Sequence, residues 1–483
     1  MAIAADNSSD LFIDGKLVPG GSGRYPTINP ATEEVLGTAA DGDAADMERA
    51  IGAARRAFDT TDWSTDTELR VRCIRQLRDA MKANIEELRE LTIAEVGAPR
   101  MLTAMAQLEG PVDDLSFSAD TAESYQWRQD LGVASPMGIK TRRTIAREAV
   151  GVVGAITPWN FPHQINLAKL GPALAAGNTV VLKPAPETPW CAAHIGRIIV
   201  ERTDFPPGVV NIVTSGDPRL GAQLSSDPRV DMVSFTGSTA TGRAVMTAAA
   251  ATIKKVFLEL GGKSAFLVLD DADVDKAVDG AVRACFSNSG QLCISIERIY
   301  VPAALWSDFS TRFATRTRAM KLSAALDYSA DMASLTSAKQ LETVSRHVDD
   351  AVGKGATVLA GGRARPDLGP FFYEPTILTG TNDNMIAYAE ETFGPLVSIY
   401  RFSTDDEAVA LANDTRYGLN ASVWSRSAAR GREVAARLHS GTVNVNEAYG
   451  ATWGSTGAGS TPHMYLEWFQ AKAGIRANHI PYK

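Results

Sequence analysis

A chain of 483 residues has room for roughly two or three domains, each with its own hydrophobic core. A formal net charge of −8 with no Lys/Arg-rich block argues against nonspecific nucleic-acid binding. No apolar run approaches the ~18–20 residues that span a bilayer.

The opening MAIAADNSSDLF has neither a basic start nor an apolar stretch, so it reads as a short tail and not a secretory signal. The four cysteines, Cys73, Cys191, Cys285 and Cys293, form no CxxC pair, and the six histidines form no HExxH. A cytoplasmic protein with reduced thiols and no structural metal is expected.

Leu11–Val18 reads as a hairpin about Asp14-Gly15, a two-residue turn signal. Helical spacing follows from Ala44 (Met47, Ala50, Ile51, Ala54, Phe58), then over Glu68–Val96 as one long helix with Cys73 in its core face, then over Leu102–Gln126. The segment 129–148, with Lys140, Arg142, Arg143 and Arg147, reads as a ribbon, either a solvated hairpin or an arm that pairs with another subunit.

Between Val150 and Asp270 short Val/Ile-rich runs alternate with helical ones: 151–156, 179–184, 209–213, 232–237 and 264–269. Such a pattern predicts βαβ units and a parallel sheet covered on both faces, with ligands at the carboxyl ends of its strands. A second alternating series follows: strands at 298–301, 356–359, 396–402, 421–424 and 442–446, and helices at 306–320, 338–354, 405–413 and 428–438. This predicts a second α/β domain of similar size.

The chemistry-bearing residues cluster at the ends of these runs. Asn160 lies in the extended Thr157–Pro162 turn, where an amide can donate or can simply form the turn. Lys183 ends the next run, as a cation for phosphate or ribose or as a surface lysine. Phe235–Gly242 is a Gly/Ser turn opening a helix, whose free N–H groups suit a diphosphate. Glu259 stands in apolar company, and burial raises a carboxyl pKa toward that of a neutral-pH base. Cys293 follows small and polar residues (Ser287, Asn288, Ser289, Gly290, Gln291), unusual surroundings for an inert structural thiol.

In order and spacing, PWNFP (158–162), KP (183–184), FTGS (235–238), LELGGKS (258–264), GQLC (290–293) and ETFGP (391–395) resemble the aldehyde dehydrogenase superfamily, in its NAD(P)-dependent non-acylating branch. LFIDG, NPAT and YGLNASVW (417–424) fit as well, and the resemblance covers residues 11–450.

The resemblance implies two doubly wound Rossmann-like α/β domains plus a small β oligomerisation arm. Residues 1–128 and 149–260 would bind the cofactor and 261–446 would carry the nucleophile. Residues 129–148 and 465–483 would form the arm of a homodimer or homotetramer, and 447–464 would close the pocket.

It also implies that Cys293 attacks the aldehyde, Asn160 and the Cys293 N–H hold the oxyanion, and Glu259 activates the hydrolytic water. NAD, with NADP possible, would be bound by Thr157, Trp159, Lys183, Gly237, Ser238, Gly242, Leu260, Glu391 and Phe393.

This chain departs from the family at two places. Pro186, followed by Glu187, stands where the family often has an acid that disfavours NADP. After Asn446 the chain reads EAYGATWGSTGAGSTPHMYLEWFQAK, shorter than the usual glycine-rich run, with Ser460-Thr461 in place of its Arg-Glu pair.

The pocket positions are Phe161, Ile165, Ala168, Leu292, Ile294, Tyr449 and Trp453. Their mostly apolar character points to a medium-sized apolar or aromatic aldehyde. A second reading is succinate-semialdehyde dehydrogenase, because 361–378 and 446–455 resemble that branch. A CoA-acylating enzyme is disfavoured by Glu259. A catalytically impaired relative acting as a binding protein is the alternative of another class.

Overall fold

The computed structural model describes residues 8–324 and 329–448. They form two compact units. The first comprises the described residues up to Asn29, with Glu34–Val96 and Met101–Glu259; the second comprises Pro30–Glu33, Gly97–Arg100 and the described residues from Leu260 onward.

The first unit is built on a seven-stranded sheet. Its spatial order is Lys255–Glu259, Met232–Thr236, Val152–Ile156, Thr179–Lys183, Val210–Ile212, Leu11–Ile13 and Lys16–Val18. The first five strands run parallel, and the N-terminal hairpin adds the antiparallel edge. Asp14 and Gly15 both take positive φ (54° and 76°), as an Asp-Gly hairpin turn requires.

The strand at 152–156 is first of the five in the chain and third in the sheet, flanked by its second and fourth partners. The direction of winding therefore reverses beside it, the arrangement that opens a crevice at the strand ends. Helices Thr67–Ala83, Glu109–Ser124, Pro162–Ala175 and Pro189–Arg202 contribute to the core, with Cys73, Leu77, Leu115, Leu170 and Ile195 buried.

Several sequence expectations shift. The predicted helix over 68–96 is two, Thr67–Ala83 and Ile85–Val96, separated at Asn84, whose side chain turns back to donate to the Ala80 carbonyl. The one expected from Leu102 is a single turn, Arg100–Thr103, and then helix Glu109–Ser124, with Pro111 in its first turn, where a missing N–H costs nothing. The ribbon is an antiparallel pair, Arg128–Ala134 with Thr141–Ala146. It leaves Val133, Met137 and Ile139 exposed.

The second unit has its own seven-stranded sheet, in the order Thr357–Ala360, Thr376–Thr379, Leu396–Phe402, Ile296–Pro302, Ser264–Val268, Asn420–Trp424 and Thr442–Val445. All neighbours are parallel except the first pair. The run at 264–269, which resembles the strands before it in sequence, belongs to this second sheet.

Helices Val274–Phe286 and Trp306–Arg318 close one core around Phe266, Phe286, Phe309 and Phe313. Among the described residues no helix is long and apolar enough to cross a membrane, and no group of side chains has the makings of a metal site. Tyr449, Trp453 and the segment from 449 onward lie outside the described residues.

Candidate active site

In the first unit the parallel register brings the predicted positions to one edge. Thr236 pairs with Glu259, Phe235 with Ile156, and Ile156 with Lys183, so the residues following these strands are neighbours. Thr157 donates through its N–H to the Lys183 carbonyl (3.2 Å) and through Oγ1 to Asn166 Oδ1 (2.7 Å). Asn160 is buried, and its carbonyl accepts from Gln107 Nε2 at 2.8 Å. Trp159 is half-buried and Phe161 buried.

Helix Pro162–Ala175 then turns Gln164, Ile165 and Ala168 to its more open side. Its buried side carries Asn166, Leu167, Lys169 and Leu170.

Lys183 is a buried lysine, not a surface one. Among the described residues its Nζ reaches only the Pro184 and Ser215 carbonyls, both at 3.4 Å, and burial lowers its pKa against the opposing pull of Glu187, Asp217 and Asp41. An ammonium so loosely bonded, one strand from the crevice, suits an anionic or hydroxyl-rich ligand.

Beside it, Gly237 donates to the Glu259 carbonyl (3.0 Å), and a Cβ at this glycine would stand 2.6 Å from the Phe235 ring. Ser238 caps helix Thr239–Ala250 by accepting from the Thr241 N–H at 3.2 Å, and Gly242 is buried in its first turn. A capped helix start at a reversal of winding fits a dinucleotide diphosphate.

Glu259 ends its strand partly buried. Burial raises its pKa, while the nearby Lys169 cation lowers it. Lys169 is itself buried and pushed down to about 8, with Nζ donating to Ser234 Oγ at 2.9 Å. Lys169 and Ser234 were not among the sequence candidates. The only signal was a lysine on the buried side of helix Pro162–Ala175.

In the second unit the candidates gather at the opposite kind of edge, before the strands. Cys293 precedes strand Ile296–Pro302 and is half-buried, whereas Cys73, Cys191 and Cys285 are buried. Burial pushes Cys73 up to about 12 and raises Cys191 and Cys285 as well, which keeps them as thiols.

The approach to Cys293 is a left-handed turn, with φ of 50°, 57° and 72° at Asn288, Ser289 and Gly290. Ser289 Oγ donates to the Ala333 carbonyl (2.8 Å). Gln291 fastens the turn by donating to the Asn288 carbonyl (3.0 Å) and accepting from the Thr336 N–H (3.0 Å). Gly262 lets the Cys293 carbonyl approach, since a Cβ there would lie 2.5 Å from that oxygen. Leu292 and Ile294 flank the thiol, both half-buried, and Asn420 Nδ2 holds the Ile294 carbonyl at 3.1 Å.

Leu260 opens this unit. Glu391 accepts from the Gly262 N–H at 2.8 Å and its carboxyl is pushed up to about 8, by burial first and by Glu297 second. Phe393 holds φ of 53° just after it.

A doubly wound sheet with a phosphate-type helix start, and a second α/β unit with a half-open cysteine, define an oxidoreductase-type architecture. Comparison with known proteins gives the family. The aldehyde dehydrogenase family matches residues 17–459. A putative succinate-semialdehyde dehydrogenase [NADP(+)] 2 of Mycobacterium bovis is 45% identical over 434 residues, covering 88% of this chain and 81% of that protein.

Among solved structures, the NAD+ complex of aldehyde dehydrogenase from Bacillus cereus superposes with a TM-score of 0.87 at 35% identity, over 91% of this chain and 89% of that one. Betaine aldehyde dehydrogenase from Staphylococcus aureus in complex with NAD+ gives 0.86 at 32%, over 92% and 90%. The chain belongs to the aldehyde dehydrogenase family.

Proposed function

We propose that this enzyme oxidises a medium-sized apolar or aromatic aldehyde to the carboxylic acid, with NAD or NADP as hydride acceptor. The Cys293 thiolate adds to the aldehyde carbon, forming a C–S bond and an oxyanion. The Asn160 amide and the Cys293 N–H donate to that oxygen, the type of contact that contributes most to acyl-transfer rates. The nicotinamide, when bound, accepts hydride. Loss of hydride from the same carbon leaves a thioester on Cys293. Glu259 takes a proton from water, the resulting hydroxide adds to the thioester carbon, and the C–S bond breaks to release acid and thiolate.

The observation that carries this reading is the half-open Cys293 on its pinned left-handed turn, among three other cysteines that burial makes inert. The raised pKa of Glu259 supports its role as base. For the cofactor we assign Thr157, Trp159, Gly237, Ser238 and Gly242 to the diphosphate region, Lys183 and Glu391 to the two ribose groups, and Leu260 and Phe393 to the nicotinamide side. With Pro186 in place of an acid, NADP is accommodated as well as NAD. The exposed hydrophobic side chains of the ribbon suit a homodimer or homotetramer.

On the open side of helix Pro162–Ala175, Ile165 and Ala168 support an apolar substrate. The 45% identity to a protein named succinate-semialdehyde dehydrogenase favours that second reading. NADH and NADPH formation with aliphatic, aromatic and succinate-semialdehyde substrates separates the two. Cys293→Ala is expected to abolish turnover with each. No turnover by the folded native protein with either cofactor would favour a catalytically impaired binding protein instead.

A further inference from the structure

Lys263 and Glu297 form an ion pair in which both side chains are 2% exposed, with Nζ 2.5 Å from Oε2. Lys263 immediately precedes the strand at 264–268, and Glu297 lies at the start of the adjacent strand, four residues after Cys293. Removing two charges from water costs several kcal/mol and is a poor way to gain stability. The remaining bonds of this pair indicate what it does instead.

Glu297 accepts from the Thr392 N–H with both oxygens (3.0 Å each) and from the Phe393 N–H (3.0 Å). Lys263 Nζ donates to the Glu390 carbonyl at 2.7 Å. Among the described residues, every hydrogen bond these two side chains make beyond each other goes to backbone flanking Glu391. The same segment is braced from helix Ala338–Gly353. There Gln340 Nε2 donates to the Thr392 and Phe393 carbonyls (3.0 and 2.6 Å), and His347 Nδ1 lies 3.0 Å from Thr392 Oγ1. The Glu391 carboxyl group rests on the Gly261-Gly262 turn just before Lys263, where a side chain at Gly261 would collide with it.

We propose that Lys263 and Glu297 are positioning residues for Glu391, fixing the backbone on both sides of it so that its carboxyl group meets the cofactor ribose already oriented. This rests on the assignment of Glu391 to the ribose. Truncating one partner would leave an unpaired buried charge, so the pair must be removed together.

The test is steady-state kinetics on four purified full-length proteins: native, Glu391→Gln, the double variant Lys263→Met/Glu297→Gln, and the combination of all three changes. Glu391→Gln is expected to raise the cofactor KM about tenfold or more. The double variant is expected to raise it comparably, with the aldehyde KM within about twofold of native, and the triple variant to be no worse than Glu391→Gln alone.

A folded double variant with native cofactor KM and only a lowered Tm overturns the positioning role while leaving the ribose assignment intact. A native cofactor KM in Glu391→Gln overturns both. Should the double variant not fold, Glu297→Asp keeps a carboxylate beside Lys263 but draws it back from the two amide groups. The same rise in cofactor KM supports the proposal there, and an unchanged value overturns it.

Discussion

Glu259 and Lys169 share a buried corner of the first unit, and each moves the other's proton affinity: burial raises the carboxyl and the cation restrains it. Replacing Lys169 by Met removes that restraint. The acidic limb of the kcat–pH profile is then expected to move to higher pH, with the alkaline plateau largely kept. Glu259→Gln should instead lower hydrolysis at all pH values, by about 10²–10⁴-fold. A pH–rate profile of both variants checks this, and an unmoved limb in Lys169→Met would sink the coupling.

Residues of this kind were hard to see in the sequence. A single Lys on the buried side of a helix, or Glu297 before Arg298, reads as an interruption of the pattern. The expected strand begins at Arg298, although the structure starts it at Ile296. Lys183 was equally open to a surface reading. Whether a charge is buried depends on which distant elements cover it, and local periodicity carries no record of that.

At the scale of elements the parallel strands were legible, because burial on both faces demands near-continuous Val, Ile and Leu. The membership of Ser264–Val268 was not, since nothing local says which sheet a strand joins. Nor was the break at Asn84. Leu77 and Met81 before it and Leu88 and Leu91 after it are all buried, so the apolar pattern runs on across the interruption.

The first unit's candidates stand after their strands, where the rule for parallel sheets puts ligands. In the second, Cys293 and Glu391 stand before theirs. Element packing also inverts a familiar rule for helices. Gly280 lies inside helix Val274–Phe286, where Gly→Ala ordinarily gains up to about 1 kcal/mol. Here a Cβ would collide with the Trp424 ring. Gly280→Ala is therefore expected to destabilise by about 1–3 kcal/mol in denaturant unfolding. Loss of the Asp43 capping box at helix Ala44–Thr60 through Asp43→Ala should cost about 1 kcal/mol.

For the whole molecule, buried titratable groups set the pH range of greatest stability. His163 and His347 are pushed down by burial to about 3 and about 4. The unfolded chain therefore takes up more protons below about 6.5, and each ring costs stability as pH falls, by about 1.4 kcal/mol per unit. Glu95 and Glu391 are raised to about 8, so the folded state holds their protons and stability falls as pH rises from 4.5 to 8. The two effects oppose each other between 4.5 and 6.5. Below that window the histidines prevail, joined by Glu87, which is held at about 2 first by its hydrogen bond to His194. Above it the carboxylates prevail. Tm is expected to peak between about pH 4.5 and 6.5 and to fall on both sides, and a Tm that climbs steadily to pH 8 would contradict this.

The left-handed turn before Cys293 has an evolutionary consequence. Asn288, at φ 50°, carries backbone energy of about 1–2 kcal/mol that glycine would shed, while its side chain donates to the Gln291 carbonyl at 3.4 Å. A library sorted for survival of heat alone would thus enrich glycine at 288, loosening the mount of the proposed nucleophile and trading turnover for durability. Sorting for turnover would keep asparagine there.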